Sequence, residues 1–131
     1  MALWASDADL AWRAQLLGWR CVYEPSAVAR HVRTYSPSTR ARISEEHRRL
    51  QFRNRYLMWV KNETRRGLLH DLPHVLAYET AQLGYVLLRE RYLLEGYREV
   101  RAALPAARER RREVQARRAV QRPPFGLQPS G

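Results

Sequence analysis

The stretch SDADLAWRAQLLGWRCVYEPSAVARHV, residues 6–32, changes its hydrophobic period partway along and so decides how the rest of the chain is read. Ser6 stands where a helix N-cap is expected, with Asp9 three residues on, and Leu10, Ala14 and Leu17 follow at helical spacing until Gly18. The spacing predicts a first helix from about Asp7 to Leu17. Beyond Gly18, Arg20 to Tyr23 and Ala27 to Val32 read as two short extended runs around Glu24-Pro25-Ser26, because proline removes a backbone donor and pushes its predecessor out of the helical region. A sheet usually needs three or more strands to be stable alone. The two runs are therefore expected to belong to a larger sheet whose other strands lie outside this chain. Cys21, within the first run, is expected to be a small buried apolar residue.

Downstream, the segment TYSPSTRAR from Thr34 to Arg42 has the turn formers and hydroxyl residues of a loop. A longer helix is predicted from about Ile43 to Arg66, with Ile43, Leu50, Leu57 and Val60 on one stripe, Phe52, Tyr56 and Trp59 on a neighbouring one, and Gly67 at its end. A third helix is expected to start near Asp71, ahead of Pro73, and to be interrupted at Glu95-Gly96. The last helical stretch runs from Tyr97 to about Gln121 and is expected to bend or break at Pro105. The expected fold class is α+β, mainly α-helical, as a helix plus two short strands followed by amphipathic helices. The boundaries expected are 1–40 for the first unit, 41–122 for the helical extension and 123–131 for a disordered tail.

A chain of 131 residues has room for one modest core. Its formal charge of +11 comes from 24 basic and 13 acidic residues, and Lys61 is the only lysine, leaving 23 arginines. Guanidinium groups make bidentate contacts with phosphate, so a nucleotide, a nucleic acid, a lipid head group or an anionic membrane surface would each suit this composition. A single cysteine excludes an internal disulfide and any cysteine-rich zinc site. The first residues carry acids and no basic segment before an apolar run, so no signal peptide is expected. The best apolar run, Leu83 to Leu88, is too short to span a bilayer.

Three groups of residues are candidates for chemistry. Asp7 and Asp9 are two of only three aspartates in the chain and sit at the first turn of an amphipathic helix, where they either neutralise the helix dipole or act as catalytic carboxylates. His70 and His74 are four apart, but Pro73 lies between them and no third ligand is near in sequence, which favours ordinary surface histidines over a metal site. Arg108, Arg110, Arg111, Arg112, Arg117 and Arg118 form a cationic terminal stretch. They read either as a solvated helix face or, together with Trp59, Tyr78, Tyr85, Tyr92 and Tyr97, as a surface that contacts phosphate or settles at the water and lipid boundary.

The order of features in residues 6–32, an acidic pair, a helix with Arg13, a Gly-Trp-Arg turn, an extended run broken by proline and then His31, resembles the end of the catalytic domain of family 2 glycosyltransferases. That region carries a Glu-Asp-x-Asp-Leu motif, then a helix and a strand ending in histidine. FRNRYLMWVKNET, from Phe52 to Thr64, is similar to the Arg-Asn-Arg and Lys-Asn segments of the family's rhamnosyltransferase-like members. The two stretches cover about half of the chain. The resemblance implies the C-terminal portion of a Rossmann-like GT-A domain and an inverting transfer from a nucleotide-diphosphate sugar to a glycan or lipid-linked acceptor. Asp7 then falls on the catalytic base, a carboxylate able to accept the acceptor's hydroxyl proton. Asp9 and Arg13 fall beside it as substrate contacts, and His31 falls on a ligand of a divalent metal, Mn²⁺ or Mg²⁺.

Ser6 departs from the pattern where the family has glutamate. The donor-binding half is expected to lie outside these residues, so the isolated chain is expected to be inactive. The resemblance also implies a cytoplasmic enzyme held at the inner face of a membrane. Two other classes fit parts of the sequence: an arginine-rich nucleic-acid-binding protein, which explains the charge but not the ordered Asp7, Arg13 and His31, and a non-catalytic membrane-surface adaptor. Retention on DNA but not on anionic vesicles would favour the nucleic-acid reading.

Overall fold

The structure, a computed structural model, describes residues 6–30 and 43–121. Helix α1 spans Ser6–Leu16, α2 spans Glu45–Asn62, α3 spans Arg65–Arg89 and α4 spans Leu94–Ala116, with a 3₁₀ turn at Arg91–Leu93 before α4. His31 and the expected loop from Thr34 to Arg42 lie outside the described residues, as does the expected tail.

Each helix boundary has a local cause. α1 ends in a Schellman arrangement: Gly18 has φ +85°, its N–H donates to the Gln15 carbonyl at 3.0 Å, and the Trp19 N–H donates to the Ala14 carbonyl at 2.9 Å. α2 is capped by Ser44, whose hydroxyl accepts from the His47 N–H, with Glu45 and Glu46 in the first turn favouring the dipole. Its far end is closed by another helix. Arg111 Nη1 on α4 donates to the carbonyls of Val60 at 2.7 Å and Glu63 at 2.6 Å, and Gln115 Nε2 donates to that of Asn62 at 3.2 Å. Those contacts satisfy carbonyls that the last turn of α2 leaves open.

Two boundaries differ from expectation for reasons that sit in backbone bonds. α2 stops at Asn62 instead of Arg66, because Thr64 caps the next helix: its Oγ1 accepts from the Gly67 N–H at 3.0 Å. Gly67 is needed there, since a Cβ would press on the Glu63 carboxylate and come within 3.1 Å of Thr64 Oγ1. α3 thus begins six residues before Asp71 and carries Pro73 in its interior, at the cost of one helical hydrogen bond. α3 ends at Arg89, not at Glu95-Gly96, and both of those residues belong to the first turn of α4. α4 continues through Pro105 and stops at Ala116, short of Gln121.

The expected α+β class does not hold, since the structure is all-helical with no strand among the described residues. Residues 20–23 and 27–30 have no neighbouring strand to pair with, and a lone extended run leaves its backbone groups to solvent. Glu24 to Ala27 forms a turn, with the Ala27 N–H donating to the Glu24 carbonyl and the Ser26 N–H and hydroxyl both donating to the Glu24 carboxylate. Trp19, Val22, Tyr23 and Val28 are exposed along this segment, and so is Cys21, which was expected to be buried.

Contacts along the helices fix their directions. Phe52 lies against Gly96 and Tyr97, Val60 against Arg111 and Asn62 against Gln115, so α2 and α4 advance together in parallel. α2 and α4 pack directly on each other, and α3 runs antiparallel to α2, since Arg55 and Tyr56 reach Glu79 while Arg48 reaches Glu90. At 25 residues α3 is about 37 Å long. The apolar core sits at the end of this bundle where α3 turns into α4: Phe52, Val86 and Leu93 are buried there, surrounded by Tyr56, Tyr92 and Tyr97. Phe52 meets Tyr97 and Tyr56 edge-on at centroid distances of 4.8 and 5.0 Å. α1 packs on the opposite end, against the C-terminal part of α2 and the end of α4, where the Leu16 carbonyl accepts from the N–H groups of Ala119 and Val120.

Gly96 tests this packing because two effects oppose each other. Alanine is the better helix former by up to about 1 kcal/mol, but its Cβ would come within 2.8 Å of Phe52 Cδ1 in the core. Gly96→Ala is expected to lower stability by about 1–2 kcal/mol, since overpacking costs about 1–3 kcal/mol. Urea denaturation followed by helical circular dichroism measures it, and an unchanged or raised midpoint would contradict the packing.

Candidate functional site

The first turn of α1 separates its two acids. Asp7 is exposed, and among the described residues its carboxylate accepts from the N–H of the next residue, Ala8, at 2.9 Å. Asp9, two residues on, points the other way and is 5% exposed. A step of two residues turns a helix by about 200°, so one carboxylate faces the bundle and the other faces solvent.

Asp9 is held by three donors. Lys61 Nζ lies 2.6 Å from Oδ1 and 2.7 Å from Oδ2, Asn62 Nδ2 donates to Oδ1 at 2.8 Å, and Arg13 Nε donates to Oδ2 at 3.1 Å. Burial on its own pushes the Asp9 carboxyl up. The hydrogen bonds from Lys61 and Asn62, with the charges of Lys61 and Arg13, outweigh it and hold the carboxyl below its ordinary value. Lys61 and Asn62 are themselves buried, in the last turn of α2. The pairing therefore ties the first turn of α1 to the last turn of α2.

Beside this pairing lies a polar cleft of about 350 Å³, lined by Ser6, Asp9, Arg13, Lys61, Arg110 and Glu113. A second hollow of about 250 Å³ continues from Lys61 and Arg110 along the α2 and α4 seam to Asn54, which is fully buried. Such a cleft offers both hydrogen-bond donors and acceptors to a hydroxyl-rich molecule. On the other side of α2 is an apolar hollow of about 380 Å³, lined by Trp12, Tyr56, Met58, Trp59, Val75 and Tyr78 among others. Arg55 stacks over the rings of Tyr56 and Tyr78 at 4.5 and 4.9 Å, and Glu79 accepts from both Arg55 and the Tyr56 hydroxyl. Burial, then the bonds to Glu79 and Tyr97, push the Tyr56 hydroxyl pKa up.

The expected site residues therefore divide. Asp7, Asp9 and Arg13 are together at the start of α1, whereas His31 lies outside the described residues. Among the described residues no group of three or more histidine, cysteine, aspartate or glutamate side chains is gathered as a metal would require. The described residues thus do not assemble the implied divalent-metal site, and the chemistry below runs through none. His70 pairs with Asp71 at 2.7 Å, and His74 lines the apolar hollow.

The terminal arginines have different duties. Arg111 closes α2, Arg110 lines the polar cleft, Arg112 and Arg118 line a separate basic cleft, and Arg108 and Arg117 are exposed. Sequence reasoning missed Asn54, Lys61 and Asn62 as buried polar residues. For Lys61 one signal existed, namely a lone lysine among 23 arginines, where a compact ammonium stands in place of a planar fork.

The pairing is tested by breaking it from one side. Lys61→Met leaves Asp9 buried without its main counter-charge and is expected to cost about 3–5 kcal/mol, read as a lowered urea midpoint. The pH dependence has a definite sign. The folded carboxyl lies below its ordinary 3.8, so the unfolded chain takes up the proton first. The contribution is complete above that value and is lost as pH falls through the folded-state pKa. The stability gap between the natural protein and Asp9→Asn is accordingly expected to narrow on acidification, and a gap that widens would refute the assignment.

The chain matches no protein-family model, no curated protein and no solved structure.

Proposed function

We propose that this chain is the C-terminal part of an inverting glycosyltransferase of family 2, in which Asp7 is the base that activates the acceptor. The observation that carries the reading is the joining of its two sequence signatures. Asp9 of Ser6-Asp-Ala-Asp-Leu10 is bonded to Lys61 and Asn62 of Lys61-Asn-Glu-Thr64, and this leaves Asp7 exposed on a backbone anchored two residues away. A base needs access to its substrate and a fixed position. Anchoring through Asp9 supplies the second without obstructing the first.

In the reaction, the Asp7 carboxylate takes the proton from an acceptor hydroxyl as that oxygen bonds to the anomeric carbon of the donor sugar. The bond from that carbon to the nucleoside diphosphate breaks, and its electron pair leaves with the diphosphate. Attack from the opposite face inverts the configuration. The nucleotide-sugar donor is bound by a part of the enzyme outside these 131 residues, so the chain alone is expected not to transfer sugar. The implied divalent metal would neutralise the diphosphate in that complete enzyme. The polar cleft beside Asp9, with Arg13 and Arg110 at its wall, suits the hydroxyls of a glycan or lipid-linked acceptor.

Attachment to the surface of an anionic membrane belongs to the same proposal. α3 presents Leu69, Leu72, Leu76, Leu83 and Leu87 to solvent along one face, between Arg65 and Arg66 at one end and Arg89 and Arg91 at the other. No helix among the described residues is long and apolar enough to cross a bilayer, which leaves an interfacial position for such a face.

In the protein encoded together with its donor-binding half, Asp7→Asn is expected to lower turnover by about 10²–10⁴-fold, the usual weight of a general base, with thermal stability unchanged. Asp9→Asn should lower stability as well. Full turnover in Asp7→Asn, or a gene whose upstream frame encodes no donor-binding half, would end the reading.

A further inference from the structure

Where the first turn of α3 meets the last two turns of α4 there is an open cleft of about 510 Å³, lined by Arg65, Arg66, Arg111, Arg112, Gln115, Arg118 and Gln121. We propose that this cleft is a binding site for a phosphate group, formed by the five arginines acting together. The proposal does not depend on Asp7 being a base.

Six arginines elsewhere in the chain are neutralised locally. Arg13, Arg48, Arg49, Arg53, Arg55 and Arg98 each lie within ion-pair distance of a carboxylate. None of the five cleft arginines forms such a pair among the described residues, and no acidic side chain lines the cleft. Glu113, next to Arg112 in sequence, lines the polar cleft beside Asp9 instead, and Glu63 Oε1 is turned to the Thr64 N–H, which donates to it at 2.7 Å.

Two further features raise the positive potential. The first turn of α3 contains no acid and places Arg65 and Arg66 at the positive end of the helix dipole, where cations are disfavoured. Arg111 is immobilised by its bonds to the Val60 and Glu63 carbonyls, so its charge cannot swing away. Its pKa is held below the ordinary arginine value by burial, despite the nearby Glu63 charge, and by the charges of Arg65 and Arg118.

Like charges gathered on two rigid helices repel one another, and an anion in the cleft removes that repulsion. Phosphate is the anion that guanidinium forks match best, through paired N–H···O bonds, and the helix end adds backbone donors of the same polarity. The group is either the head group of an anionic lipid or a soluble phosphate ester.

The test compares Arg66→Gln/Arg112→Gln with a charge-matched control, Arg98→Gln/Arg101→Gln, whose substitutions lie elsewhere on α4. All four residues are exposed, and unchanged helical circular dichroism confirms folding; if the cleft pair misfolds, each single variant is read instead. Inorganic pyrophosphate is titrated by calorimetry at constant ionic strength, and vesicles of phosphatidylglycerol with phosphatidylcholine are used in flotation. The cleft variant is expected to bind at least about tenfold more weakly than the control, the scale of losing charged hydrogen bonds. Selective loss of vesicle flotation assigns the phosphate to a lipid head group. Selective loss of pyrophosphate binding with flotation unaltered assigns it to a soluble ester. Equal behaviour of the cleft and control variants toward both probes, including no binding at all, overturns the proposal.

Discussion

The buried contact between the Asp9 carboxylate and the Lys61 ammonium is the constraint around which the α1 end of the molecule is arranged. It has little exposure to water, and its remaining hydrogen-bonding capacity is met by Asn62 and Arg13. An ion pair of this kind contributes little net stability compared with apolar packing, but it is unforgiving of displacement. Its chief consequence is positional. With Asp9 held against the last turn of α2, the rotation of α1 about its axis is set, and Asp7 is left on the solvent side.

The bundle is built in two different ways at its two ends. Near the turn into α4, Phe52, Val86 and Leu93 form a compact apolar cluster under three tyrosines, and the stabilisation there is burial of apolar surface. At the α1 end, polar groups replace it: Asp9, Lys61, Asn62 and Thr64 are buried, and Arg111 reaches across from α4 to the exposed carbonyls of α2. Arginine serves both ends because its stem packs while its fork satisfies several acceptors. That structural use accounts for part of the chain's basicity, while five arginines that form no ion pair among the described residues line the cleft between α3 and α4.

Amphipathic spacing marked all four helices, and the Gly18 stop of α1 was legible because only a residue tolerant of positive φ completes that cap. The boundaries between α2, α3 and α4 were not. Gly67 and Gly96 look like helix ends in sequence, yet both lie inside helices at positions where a neighbour leaves no room for a Cβ: the Glu63 carboxylate in one case and the Phe52 ring in the other. The extended runs after Gly18 were read from local preference alone, and a strand exists only when a second one pairs with it. The acids at the start of α1 stood out as a pair, while their opposite fates depended on Lys61 and Asn62 more than fifty residues away.

The sequence by itself determined that this is a basic chain of amphipathic helices, with two carboxylates at the opening turn of the first, because periodicity, capping residues and charge are local properties. Only the tertiary structure decided which carboxylate is buried, which arginines have a partner and which polar side chains form the interior. Those outcomes depend on which helix faces meet, and the free energy of a buried charge is set by neighbours that the local sequence does not name.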